Sequence, residues 1–168
     1  EVCSESYNFQ KQLDEACKKF NLKTLSIGYD PTTDIADVPN NPKKRYKVMT
    51  REMPKNGELS LEMMYQTCGT QINLDYTSEQ DFIKKFKVIS YLTPLTIALF
   101  SNSAIKKSKP TGFLSYRSKV WQNTSRGGLP KVFLENMDFE KYADFSLDFK
   151  LLFLHDNNEY ISPNGKSF

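Results

Sequence analysis

The chain has 168 residues, the size of one ordinary domain, and 39% of them are hydrophobic and 13% aromatic. This composition excludes a disordered or collagen-like protein. The formal net charge is only +3, with 23 basic and 20 acidic residues, so charge gives no indication of nucleic acid as a partner. The apolar stretch 88–100 contains Ser90, Thr93 and Pro94 and is too short to span a bilayer. We therefore expect no membrane partner either.

The cysteines indicate the compartment. Cys3, Cys17 and Cys68 lie far apart, form an odd set and lack the spacing of a zinc site. A reduced chain is the simplest interpretation, and it predicts a cytoplasmic location.

The first half of the chain predicts helices, one strand and a long loop. An amphipathic stripe predicts a helix from Ser4 to Phe20, and the apolar run after it predicts a strand over residues 22–29. Residues 30–42 contain three prolines and few large apolar side chains, which is typical of a loop. The methionine-rich segments 43–53 and 59–64 are predicted to be helical.

The second half adds the clearest strand pattern and a long helix. Residues 67–76, TCGTQINLDY, place polar side chains on one parity and predict a strand. A cap at Thr77 and Ser78 predicts a helix that runs toward Leu99. Further along, the sequence predicts a polar connector over 102–112, a helix over 139–145 and a strand over 149–155. Helices mixed with strands in this way indicate an α+β fold.

Three groups of polar residues are candidates for chemistry, because no catalytic motif of a familiar hydrolase, nucleotide-binding loop or metalloprotease occurs. Gln71 and Asn73 lie two apart on the predicted strand, so their amides share one face and could meet Mg²⁺ or phosphate. Spacing alone favours a simpler alternative, the exposed polar face of a half-buried sheet.

Arginines form the second and third groups. Arg117 precedes Trp121 by four residues, which places guanidinium and indole side by side if the segment is helical. A guanidinium fork suits a carboxylate or phosphoryl group. Arg45, next to Tyr46, offers the same chemistry. A surface salt bridge is the simpler alternative for either arginine, and the residues alone favour it.

Taken together, the sequences of these segments resemble those of the plant and proteobacterial glutamate–cysteine ligases over nearly the whole chain. The matching segments are 1–5 EVCSE, 35–68 IADVPNNPKKRYKVMTREMPKNGELSLEMMYQTC, 71–88 QINLDYTSEQDFIKKFKV, 92–121 LTPLTIALFSNSAIKKSKPTGFLSYRSKVW and 160–168 YISPNGKSF. Long ordered matches of this kind are far more specific than a short motif.

The resemblance implies a fold, a reaction and a set of site residues. The implied fold is glutamine-synthetase-like, in which a mainly antiparallel sheet with helices on one side forms a funnel for Mg²⁺ and ATP. Gln71 and Asn73 would line this funnel, with Gln71 as the candidate metal ligand. Arg45 and Arg117 would hold glutamate or its phosphorylated γ-carboxylate, with Trp121 packed against them and Arg117 as the catalytic residue.

The implied reaction is the ATP-dependent ligation of the γ-carboxylate of L-glutamate to L-cysteine through γ-glutamyl phosphate. Its product, γ-glutamylcysteine, is formed in the first step of glutathione biosynthesis.

Departures from the family pattern leave alternatives open. Leu152 stands where the family has a tyrosine associated with the cysteine pocket. Arg126 lies in a loop that is shorter than the corresponding family loop, so its match to the family's arginine stays open. The family's metal-binding carboxylates lie mostly outside the matched segment. We therefore expect residues 1–168 to be a single partial domain, inactive alone, that needs the remainder of a ligase chain. A degenerate nucleotide- or amino-acid-binding module and a carboxylate–amine ligase with another acceptor are the alternatives.

Overall fold

A computed structural model describes residues 1–124, 127–157, 159–163 and 166–167. Helices dominate these residues, and the only strands among them form two short hairpins. The α-helices are α1 (Val2–Lys19), α2 (Lys44–Glu52), α3 (Ser60–Gln66), α4 (Glu79–Leu99), α5 (Tyr116–Gln122) and α6 (Phe139–Leu147). The strands are β1 (Ile105–Lys106), β2 (Lys109–Pro110), β3 (Leu154–Asp156) and β4 (Glu159–Ile161). Short 3₁₀ segments occupy Ile35–Asp37, Met53–Asn56 and Lys131–Leu134. Helices with small antiparallel ribbons confirm the predicted α+β class.

The predicted helices are confirmed, because local patterns determine them. The Oγ atom of Ser78 accepts a hydrogen bond from the backbone N–H of Asp81 at 3.2 Å, which is the predicted cap of α4. The helix then continues through Pro94 to Leu99. The segment that carries Arg117 and Trp121 is also helical, as α5.

The strands predicted over residues 22–29 and 67–76 are wrong. Residues 22–28 and 68–76 form no strand, and a single antiparallel bridge joins Tyr29 to Thr67. Pairing stops there because Asn102 takes the backbone groups that would extend the ladder. Its carbonyl accepts from the N–H of Gly28 at 3.4 Å, and its side-chain amide donates to the carbonyl of Ser26 at 3.2 Å.

The predicted single antiparallel sheet with helices on one side is therefore not what the described residues form. They form two separate two-stranded sheets, β1 with β2 and β3 with β4. The first hairpin lies inside the predicted connector 102–112, and the predicted strand over 149–155 forms a strand only at its end, as β3. The glutamine-synthetase-like fold stays a prediction.

Two packed regions organise the chain. In one of them, aromatic rings from α4, the 3₁₀ segment Lys131–Leu134, α6 and residues flanking these helices contact one another. These rings belong to Tyr76, Phe82, Phe86, Phe133, Phe139, Tyr142, Phe145 and Phe149. The other region brings α3 against α5, with Tyr29 and Val120 fully buried between the surrounding segments. No helix in the described part of the chain combines the length and the apolar character that a bilayer span requires.

Candidate functional site

Arg117 lies at the edge of the second packed region, and its side chain is held on two sides. Its Nε donates to the backbone carbonyl of Cys68 at 2.8 Å. Its guanidinium carbon lies 5.5 Å from the ring centroid of Trp121, within the range of a cation–π contact. The predicted pairing of Arg117 with Trp121 on one helix face is confirmed.

The backbone around Arg117 is fixed as well. The N–H of Arg117 donates to Oγ of Ser103 at 3.1 Å, and the N–H of Tyr116 donates to the carbonyl of Ser103 at 2.9 Å. Two glycines allow the chain to approach the side chain closely. A Cβ atom at Gly69 would lie 2.7 Å from Nη2 of Arg117, and one at Gly28 would lie 3.4 Å from its Cδ.

The hydrogen-bonding capacity of this pair is not used up. Within the described residues, Arg117 makes one side-chain hydrogen bond and no ion pair. The indole Nε1 of Trp121 is buried and no described residue accepts its hydrogen. A buried donor without an acceptor costs about 1–3 kcal/mol. An anion with several oxygens, such as a carboxylate or a phosphoryl group, is the ligand that guanidinium donors fit.

A polar network forms around the carboxylate of Glu62, and it includes Tyr116, the residue next to Arg117 in the chain. The hydroxyl of Tyr29, a residue only 1% exposed, lies 2.8 Å from Oε2 of Glu62 and 2.8 Å from Oε1 of Gln66. Oε2 of Glu62 also accepts from the hydroxyl of Tyr116 at 3.2 Å. Nζ of Lys106 lies 2.7 Å from Oε1 of Glu62 and 2.8 Å from the hydroxyl of Tyr116. We call Tyr29, Glu62, Gln66, Lys106 and Tyr116 the Glu62 network.

The network shifts the pKa values of two of its members, Tyr29 and Lys106. Burial of Tyr29, together with its hydrogen bond to Glu62, raises the pKa of the hydroxyl far above its ordinary value. Partial burial of Lys106 opposes its charge, but hydrogen bonds to Glu62 and Tyr116 outweigh that effect and raise the pKa of the ammonium. Tyr29 is therefore neutral and Lys106 charged at physiological pH.

The other predicted site residues lie apart from Arg117. Gln71 and Asn73 are both exposed, on the segment 68–76 that forms no strand. The amide of Gln71 donates to Oδ1 of Asn73 at 3.0 Å, so the two side chains do lie on the same side. Arg45 is exposed on α2 with its guanidinium 5.3 Å from the ring of Tyr46. Among the described residues no hydrogen bond or ring contact joins Arg45 to Arg117. Arg126 lies outside the described residues.

The Glu62 network was missed from the sequence. One signal for it was present, because Glu62 and Gln66 stand four residues apart on a helix that is otherwise methionine- and leucine-rich. The partners on Tyr29, Lys106 and Tyr116 are dozens of residues away, so no local pattern connects them.

The described residues do not form a Mg²⁺ site by themselves. No group of three or more His, Cys, Asp or Glu side chains among them could hold a metal ion. Gln71 and Asn73 bring two amide oxygens, and Asn73 Oδ1 accepts an amide hydrogen of Gln71. Magnesium prefers carboxylates and water in octahedral geometry, and two amide oxygens alone do not meet that requirement.

Comparison with known proteins identifies the class of protein. A model of the glutamate-cysteine ligase family 2 (GCS2) matches residues 1–159. The chain is 40% identical over 171 residues to glutamate–cysteine ligase A, chloroplastic, of Oryza sativa subsp. japonica, covering 100% of this chain and 35% of that protein. It is 39% identical to the chloroplastic glutamate–cysteine ligase of Medicago truncatula, with 100% and 34% covered. It is 40% identical to that of Arabidopsis thaliana, with 100% and 33% covered.

The chain therefore belongs to the glutamate–cysteine ligase family, and it spans about a third of the length of these curated relatives. The resemblance that the sequence motifs carried is confirmed. The predicted cytoplasmic location is wrong in light of the same comparison, because these relatives are chloroplastic enzymes. Cysteine spacing reports redox state at best, and a reduced chain is compatible with more than one compartment.

Proposed function

We propose that the full-length protein containing this chain is an ATP-dependent glutamate–cysteine ligase. Family membership supports the reaction class. The observation that carries the role of this segment is Arg117, a half-buried guanidinium stacked on Trp121 and without an ion-pair partner among the described residues. Such a group is suited to a carboxylate or an acyl phosphate.

The reaction would proceed in two steps. The γ-carboxylate oxygen of glutamate attacks the γ-phosphorus of ATP, so that ADP leaves and γ-glutamyl phosphate forms. The amine of cysteine then attacks the acyl carbon, phosphate leaves with the bonding electron pair, and the nitrogen loses a proton. Negative charge accumulates on phosphoryl and acyl oxygens in both steps, where a preorganised cation lowers the barrier.

In this proposal Arg117 orients the glutamate carboxylate and stabilises charge on the phosphorylated γ-carboxylate. The Nε hydrogen bond to Cys68 fixes the plane of the guanidinium and leaves its Nη groups as donors. Trp121 would support the guanidinium through its ring, and its Nε1, whose hydrogen no described residue accepts, would be a further donor. Arg45 would bind a second anionic group of the substrates.

ATP and Mg²⁺ would be bound largely by the remainder of the ligase chain, with Gln71 and Asn73 facing them in a glutamine-synthetase-like funnel. Mg²⁺ supplies charge neutralisation on the phosphates when bound. Its carboxylate ligands would come from elsewhere in the full-length protein. We accordingly expect residues 1–168 alone to be inactive.

A second candidate differs only in the amine acceptor. Leu152, where the family pattern has a tyrosine, cannot donate a hydroxyl hydrogen bond to cysteine. A related carboxylate–amine ligase that uses glutamate and another amine would meet the same Arg117 chemistry.

The test uses the full-length protein and measures ADP release that depends on glutamate, with cysteine and with other amines. The proposal expects turnover with glutamate and cysteine that falls at least about 100-fold in Arg117→Ala, as expected for loss of a charged transition-state contact worth about 3 kcal/mol. Arg51→Ala is the matched control, since that arginine is exposed and already paired with Glu52 at 2.7 Å. Turnover with another amine only would support the second candidate. Binding of nucleotide or glutamate without any turnover would replace both with a binding module.

A further inference from the structure

The Glu62 network and Arg117 are close neighbours in the fold, and this arrangement gives the network a role. We propose that Tyr116 and Glu62 are positioning residues, which hold the guanidinium of Arg117 in the orientation that binds the glutamate carboxylate. This inference rests on the proposed function for its substrate. Its structural part, the positioning of the side chain, stands on the contacts alone.

Two separate segments hold Arg117, and each is attached to Glu62. The first segment is the end of α3 and the residues after it, which supply the carbonyl of Cys68. The second is the first turn of α5, which supplies the backbone of Arg117 itself. If the two segments shifted relative to each other, the 2.8 Å bond between Nε and Cys68 would be lost.

On the Cys68 side, the connection runs through Tyr29. The N–H of Cys68 donates to the carbonyl of Gly28 at 3.1 Å, and the N–H of Asp30 donates to the carbonyl of Gln66 at 2.9 Å. Tyr29, between these two bonds, lies with its hydroxyl against Glu62 and Gln66. The carbonyl that orients Arg117 is thus fixed to the carboxylate of Glu62.

On the α5 side, the connection is the residue adjacent to Arg117. The hydroxyl of Tyr116 donates to Glu62, and its ring packs edge-on against Tyr29 at 5.0 Å between centroids. Lys106 bonds both Glu62 and the Tyr116 hydroxyl, which neutralises the carboxylate without involving Arg117. The guanidinium therefore keeps its free donors for a ligand.

The main variant is Tyr116→Phe in the full-length protein, because it removes one hydroxyl and keeps the ring. Tyr65→Phe is the matched control, since its hydroxyl bonds Thr50 and takes no part in the network. We expect Tyr116→Phe to raise the KM for glutamate about tenfold, the effect of one lost hydrogen bond, with the KM for ATP changed less than about twofold. Tyr65→Phe should leave both within about twofold. Equal effects of Tyr116→Phe on both substrates would overturn the inference, because a general loss of structure acts on both.

A double-mutant cycle separates positioning from packing. In an Arg117→Lys background, Tyr116→Phe should change the glutamate KM less than about twofold, because the group that it positions is already gone. A full tenfold effect in that background contradicts the proposal. Glu62→Gln, which keeps an oxygen acceptor and the side-chain volume, gives the same test if Tyr116→Phe does not fold.

A crystal structure of the Tyr116→Phe variant tests the positioning independently of activity. We expect the Arg117 Nε to Cys68 carbonyl bond to lengthen beyond hydrogen-bond distance. An unchanged bond would refute positioning even in an active enzyme. If the wild-type protein shows no glutamate-dependent turnover, the proposed function fails, and this structure alone decides whether the network positions Arg117.

Discussion

Replacing Lys106 by methionine tests how much the Glu62 network contributes to stability. The change removes the only cation that bonds Glu62 within the described residues, and it keeps most of the volume of the side chain. The carboxylate would retain the hydroxyls of Tyr29 and Tyr116 as donors. It would have no charge partner in a largely buried position.

The expected cost follows from the burial of the pair. The side chains of Lys106 and Glu62 are 28% and 12% exposed. Breaking a fully buried ion pair costs about 3–5 kcal/mol, and the remaining exposure and two hydroxyl donors reduce this to about 2–3 kcal/mol for Lys106→Met. The neighbouring Lys107 pairs with Asp34 at 55% and 42% exposure, a surface contact of the kind that contributes little to stability. Lys107→Met is therefore the matched control on the same hairpin.

Hydrogen exchange in the full-length protein measures the difference where it arises. The amides of Asp30 and Cys68 bond the chain beside the network. A loss of about 2–3 kcal/mol accelerates their exchange roughly 30- to 150-fold. Lys107→Met should accelerate it less than about fivefold. Equal acceleration by the two variants would refute the assignment of stability to the buried pair.

Three further predictions concern single positions. Gly69→Ala should reduce glutamate-dependent turnover of the full-length protein at least about tenfold, because the new Cβ would lie 2.7 Å from Nη2 of Arg117 and displace the guanidinium. Unchanged kinetics would show that the guanidinium is free to move. Ser108→Gly should stabilise the protein against denaturant unfolding by about 0.5–1 kcal/mol. Ser108 has φ of 59°, a left-handed conformation that costs a residue with a side chain about 1–2 kcal/mol, and the flexibility of glycine in the unfolded chain offsets part of the gain. The control Ser108→Ala should show no gain. Hydrogen bonds from Thr33 and Thr32 lower the pKa of Asp30, and Lys107 lowers the pKa of Asp34. Such groups stabilise the fold above the ordinary aspartate pKa near 4 and lose that effect as pH falls further. The protection of the amides in residues 30–37, measured relative to the intrinsic exchange rate at each pH, should therefore fall below about pH 4 in wild type, and less steeply in Asp30→Ala.

The helices could be predicted from the sequence because their signals are local. The cap at Ser78 and the four-residue spacing of Arg117 and Trp121 each require only a few consecutive residues. Local signals of this kind predicted the bounds of the helices closely. The spacing of Arg117 and Trp121 also predicted one contacting pair in the candidate site.

The strands could not be predicted because pairing depends on a partner. The alternation in residues 67–76 is real, with Gln71 and Asn73 on one side, but a strand exists only where another backbone supplies its hydrogen bonds. Asn102 occupies the backbone of Ser26 and Gly28 instead. The Glu62 network has the same character, since each bond from the Glu62 carboxylate to Tyr29, Lys106 and Tyr116 crosses more than thirty positions.

Arg117 connects the two parts of the candidate site, which differ in exposure to solvent. Behind it lies the buried Glu62 network, and in front of it begins the exposed segment 68–76 with Gln71 and Asn73. The carbonyl of Cys68 accepts the hydrogen bond from Nε of Arg117. A movement of segment 68–76 therefore changes the orientation of the guanidinium directly. If a further strand of the full-length protein pairs with this segment, the pairing restricts Cys68 and favours the bound orientation of Arg117. By linkage, an anion on Arg117 then favours the paired segment to the same extent. Under the proposed function, glutamate binding and pairing of this segment would therefore be coupled through one hydrogen bond.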